Sequence, residues 1–171
     1  GRLRPLRMQG SAPGLDLGLV RDFGTALLLG ALLGIEREKR NLREGFGIAG
    51  VRSFVLLALL GALGGHLSRT FTSPWPLAAT VVAAAAVVTA GYVAQARRRP
   101  GSLGITSELA ALTSCLLGAL VVSGQRELGV GLGVAITALL AYKQPLHDLV
   151  GRLGWPDVLV VMRLLLATFI V

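Results

Sequence analysis

Apolar runs of roughly the length of a membrane span alternate with short polar stretches along the whole chain. The first run is Leu17 to Ile35 and the second Val51 to Leu67. Trp75 to Ala94, Glu108 to Val122 and Leu128 to Tyr142 follow. A sixth begins at Asp157, after Trp155-Pro156, and is still apolar at Val171. Crossing about 30 Å of hydrocarbon takes about 20 helical residues. The pattern therefore predicts an all-α transmembrane bundle of five spans plus a truncated sixth. Phe23 to Ile35 is too short to cross alone, so Arg21 and Asp22 belong at an interface or pair within the bundle. Residues 1–14, with three arginines and two prolines, read as a flexible basic lead-in. Residues 15–171 read as one transmembrane domain, incomplete at its C-terminal end.

Composition agrees. The chain of 171 residues is 53% hydrophobic and 15% charged, against about 25% charged in soluble domains. The mean hydropathy is +0.69. The net charge of +8 raises nucleic acid as a partner. The basic residues, however, fall between apolar runs and not on one face with interleaved aromatics. They mark membrane loops instead, and the expected partner is the lipid bilayer.

Counting bases orients the bundle. Arg37, Lys39, Arg40 and Arg43 follow the first run, Arg97 to Arg99 follow the third, and Lys143 and Arg152 follow the fifth. The intervening linkers hold only Arg69 or Arg126. Cytoplasmic loops collect Lys and Arg, so the N-terminus is expected outside, with the chain passing the membrane many times. The basic tail of Arg2, Arg4 and Arg7 argues the other way, and three linkers outweigh it. Trp75, Tyr92, Tyr142 and Trp155 fall at the interfaces this implies.

Small residues recur at four-residue spacing: Gly30/Gly34, Gly61/Gly65, Ala111/Cys115/Ala119 and Gly129/Gly133/Thr137/Ala141. In lipid such stripes let backbones approach closely and pack by van der Waals contact. They serve either packing within the chain or a homo-oligomer interface.

Charge gathers at one predicted end of the bundle. Glu36, Arg37 and Glu38 close the first run, Arg52 opens the second, and Glu108 opens the fourth. Lys143, His147 and Asp148 follow the fifth. Carboxylates and an arginine held between helices suit a hydrated cation, a proton relay or a structural ion-pair network. Mg²⁺, a hard ion that keeps several waters, fits acidic oxygens of this kind. The plainer readings are helix-dipole placement of Glu108 and Asp157 and snorkelling of the arginines. His66 and His147 stand singly near span ends, so a metal site is not defined by them. Arg163 interrupts the sixth run and must find a partner or snorkel.

Enzyme chemistry is not expected. Cys115 lies among Leu112, Thr113, Ser114 and Leu116 with no basic neighbour, as a buried neutral thiol would. As the only cysteine, it excludes an intrachain disulfide. Gly45-Phe46-Gly47-Ile48-Ala49-Gly50 follows a charged linker and no strand, so it is not a phosphate loop. No cofactor is expected beyond a role for Mg²⁺.

The segments Gly34-Ile35-Glu36-Arg37-Glu38 and Ala49-Gly50-Val51-Arg52-Ser53 resemble the paired motif of the MgtC/SapB family of bacterial inner-membrane proteins. Glu36, Arg37, Glu38, Gly50 and Arg52 match the motif, and Ile35, Val51 and Ser53 depart mildly from it. Gly104-Ile105-Thr106-Ser107-Glu108 and Lys143-Gln144-Pro145-Leu146-His147 look like the longer branch, in which a second membrane domain follows. The resemblance covers roughly Leu17 to Val171. It implies a link to magnesium limitation, survival inside host cells and regulation of the membrane ATP synthase. The soluble C-terminal domain of many members has no match here. Two functions are expected from this. One is ion homeostasis by cation transport, with Glu36 and Glu108 at the ion and Arg52 bracing them. The other is a non-transporting subunit that docks on a larger membrane complex through a small-residue stripe.

Overall fold

The computed structural model describes residues 16–44, 49–98, 105–142 and 155–170. They form six helices: α1 (Leu17–Glu44), α2 (Val51–Thr70), α3 (Trp75–Arg98), α4 (Thr106–Val122), α5 (Arg126–Ala141) and α6 (Trp155–Ile170). The lead-in, Arg99, Gly104, Lys143, His147, Asp148 and Arg152 lie outside the described residues.

Five helices begin and end close to where the apolar runs do. The exception is α1, which continues through the charged block to Glu44. Glu, Arg, Lys and Leu are good helix formers, and Glu36/Arg40 sets an acid four residues ahead of a base. The block is therefore a polar extension of α1 and not a linker. Its 28 residues reach about 42 Å.

Leu17–Arg43, Val51–Thr70 and Trp75–Arg97 are long and apolar enough to cross a membrane. The α4 helix has 17 residues and α5 has 16, short of the usual span of about 20. Of the five expected crossings, length and composition thus support three. Leu28, Leu56, Leu63, Val82, Val87, Leu116 and Leu139 are all exposed, an apolar exterior of the kind that lipid covers.

Helices α2 and α4 form the centre. The first touches α1, α3 and α4, and the second touches α1, α2, α3 and α5. Small side chains make this crowding feasible: Ala110, Ala111, Ser114, Cys115, Gly118 and Ala119 are all buried on α4. The two central helices run parallel, since Phe54 meets Ser114 and Ala58 meets Gly118. At Gly61 and Gly118 a methyl group would collide with the carbonyls of Cys115 and Ala58 respectively. At Gly65 it would lie 3.0 Å from the Ala119 carbonyl oxygen. The buried Ser114 hydroxyl donates to the Phe54 carbonyl at 2.9 Å.

The remaining glycines seat the outer helices. Gly30 and Gly34 of α1 face α2, where added methyls would come within 2.9 Å of Val55 Cα and 2.6 Å of Val51 Cα. Gly129 faces Val121, and Gly133 faces Leu29 and Leu117. Every glycine of the predicted stripes thus meets a helix of its own chain. Between the ends the interior is apolar, built on Leu29, Leu33, Phe54, Ala110, Leu117 and Val121. A second cluster of Ala26, Ala62 and Val122 continues it toward the Asp22 end.

Candidate functional site

The site forms where the charged part of α1 passes the first turns of α2 and α4. Arg37 is its centre, with a side chain 1% exposed. Its Nε lies 2.8 Å from Oε2 of Glu36, itself 14% exposed. Its Nη1 donates to Ser107 Oγ at 3.4 Å. Successive helix positions do not face each other. The Glu36 pair is accordingly a close charge contact without hydrogen-bond alignment. The Ser107 bond ties α1 to the head of α4 and brings Glu108 to the same end of the bundle.

Glu108 lies in the first turn of α4, where the helix dipole favours a carboxylate. Its Oε2 is buried and has no hydrogen-bond partner among the described residues. An acceptor in that position normally costs about 1–3 kcal/mol. The arrangement is thus one buried guanidinium that meets a carboxylate of α1 and the Ser107 hydroxyl of α4, followed on α4 by a carboxylate with one oxygen unpartnered among the described residues. It is suited to a cation or a proton arriving at Glu108.

Glu38 has a different task. Its Oε2 accepts the Val51 N–H at 3.3 Å, capping a helix whose own N-cap, Gly50, has no side chain for it. A Cβ on Gly50 would overlap that carboxylate, so Glu38 would have to shift to admit a side chain there. Asn41 Nδ2 donates to the Ala49 carbonyl at 3.1 Å and completes the joint between α1 and α2.

Arg52 is corrected. It is exposed and forms no ion pair with Glu36 or Glu108 among the described residues. Val51 packs on Gly34, and one residue further the helix has turned by about 100°, away from that seam. Arg37 is the arginine that meets Glu36 and reaches the head of α4 at Ser107. No group of three or more His, Cys, Asp or Glu gathers among the described residues.

The opposite end carries contacts that sequence reading missed. Arg126, at the head of α5, pairs with Asp22 of α1, choosing the bundle over the interface for that acid. Arg69 donates to the Val122 carbonyl at the end of α4, satisfying a terminal acceptor. Gly124, at φ +93°, turns the chain into α5 in a conformation that suits glycine. Phe23 and His66 meet edge to face, with ring centroids 6.1 Å apart. The one available signal was that Arg21-Asp22 and Arg126-Glu127 stand beside apolar runs.

A family model described as the MgtC family matches residues 23–149. The chain belongs to the MgtC family. Together with its apolar helices, this makes it a membrane protein. The match to MgtC encloses the α1–α2 joint and the head of α4 and ends before α6. No curated protein and no solved structure matches the chain.

Proposed function

We propose that this MgtC-family protein serves magnesium homeostasis in a bacterial inner membrane, transporting a divalent cation through the Glu36–Arg37–Glu108 site. The five helices α1–α5 all traverse the bilayer in this reading, with the N-terminus outside and Glu36 at the cytoplasmic face. The observation that carries it is the buried Glu108 oxygen without a partner among the described residues, one residue after the Ser107 that the buried Arg37 contacts. Mg²⁺ prefers one or two carboxylates and retained water. Glu108 and Glu36 supply the carboxylates, and Arg37 keeps them from repelling each other and from closing on the ion. The protein acts on no covalent bond in this reading and needs no resident cofactor.

Purified protein in liposomes loaded with a Mg²⁺ indicator tests it. Flux is expected in the native chain and is lost in Glu108→Gln and Glu36→Gln, both variants remaining folded. Equal flux in native and variant proteins overturns the site. A second reading, a non-transporting regulatory subunit, is favoured by the backbone contacts that seal α2 against α4 between the two polar ends. Mg²⁺ binding without flux supports that reading. Gly133→Leu does not discriminate, because Gly133 packs on Leu29 of the same chain.

A further inference from the structure

The seam between α1 and α2 is covered on one side only among the described residues. Helix α4 touches both, whereas α3 reaches α2 without α1 and α5 reaches α1 without α2. The two helices run antiparallel, since Gly30 meets Phe54 and Val55 while Gly34 meets Val51. Each residue turns a helix by about 100°, so the residues after Gly34 and Val51, Ile35 and Arg52, emerge on the same side of their contact. Leu28, Leu32 and Lys39 share the face of Ile35 at helical spacing, and all four are exposed. Leu56, Leu60 and Leu63 continue the face of Arg52 and are exposed as well.

Each apolar stripe thus ends in a cation at the Glu36 end of the bundle. Neither Lys39 nor Arg52 has an ion pair among the described residues. The acids beside them are engaged, Glu36 with Arg37 and Glu38 with the Val51 N–H. Arg43, also exposed, follows Lys39 by four residues, a like-charge spacing that destabilises a helix. Lys39 lies about 33 Å beyond Leu17 along α1, the depth at which hydrocarbon gives way to headgroups. Arg52 enters about one and a half turns deeper, and its long side chain snorkels to the same level.

We propose that this seam binds one anionic phospholipid, its phosphate between Lys39 and Arg52 and its acyl chains along the two apolar stripes. Charge complementarity selects the headgroup. The stripes select lipid over a protein helix, because membrane helices approach each other through small residues and these six apolar positions are all Leu or Ile. The glycine pairs of the same helices face inward, Gly30 and Gly34 toward α2 and Gly61 and Gly65 toward α4. The proposal holds under either reading of the Glu108 site, because neither cation pairs with Glu36 or Glu108 among the described residues.

The test counts lipids retained by the full chain in native mass spectrometry, after extraction from vesicles of equal phosphatidylglycerol and phosphatidylcholine. One phosphatidylglycerol is expected to stay bound, preferred about tenfold over phosphatidylcholine. The double variant Lys39→Gln with Arg52→Gln loses the preference and keeps the native unfolding midpoint in detergent, since both side chains are exposed. Arg97→Gln keeps the preference, because Arg97 is exposed on α3, which does not touch α1. Equal retention of the two lipids by the native chain overturns the proposal. An equal loss in Arg97→Gln also overturns it, by making the attraction one of general surface charge. Self-association of the native chain that the double variant removes overturns it too, by making a second copy the occupant.

Discussion

The two ends of the bundle use the same residue types to different effect. At the Asp22 end, each arginine closes a structural gap, and the buried atom left over there among the described residues is a donor, Arg126 Nε. Arg126 takes the Asp22 carboxylate, and Arg69 takes the last turn of α4. At the Glu36 end, the arginine is more deeply buried, yet a buried oxygen of Glu108 is an acceptor without a partner among the described residues. Charges that only hold helices together are expected to satisfy each other. A buried acceptor left open is a cost that folding alone does not explain, and it marks the end where a ligand is to be sought.

Substitutions grade this contrast. The largest effect is expected between the ends. Gly118→Leu forces a side chain into the Ala58 carbonyl and costs about 3 kcal/mol or more, read as a lowered unfolding midpoint in detergent. Gly131→Leu, at a position with open space around it, leaves the midpoint unchanged. Asp22→Asn comes next. It strands Arg126 and costs about 2 kcal/mol, below the ~3–5 of a fully buried pair, and the double variant with Arg126→Gln recovers most of it. Glu38→Ala removes the α2 cap and costs about 1 kcal/mol, visible as faster amide exchange at Val51. The smallest effect on stability belongs to Glu108→Gln, within about 0.5 kcal/mol, although it abolishes Mg²⁺ flux. A large loss of stability there would erase the distinction between the ends.

Much of the fold was legible because apolar runs and helix boundaries share one cause, the avoidance of polar backbone in lipid. The extension of α1 was not, since Glu36 to Glu44 has the charge of a loop and the propensity of a helix. The glycine stripes were legible as stripes. Which helix each one meets was not, because Gly61 and Gly129 look alike until the helices are placed. Glu36, Arg37 and Glu108 were legible as charges near span ends, and the contacts each one makes were not. Arg37 and Arg52 are equivalent as charges near a span end, and only the way α1 and α2 seat on each other at Gly34 and Val51 leaves one buried and the other exposed. The Asp22–Arg126 pair joins positions 104 residues apart, a distance over which no local pattern operates.

The Glu38 latch on Gly50 and Val51 has a mechanical consequence. With Gly30 and Gly34 seated on α2 and the carboxylate clasping its first turn, α1 and α2 form one lever. Any rearrangement that changes the gap between Glu36 and Glu108 must then swing α4 against that lever, pivoting on the Arg37–Ser107 bond.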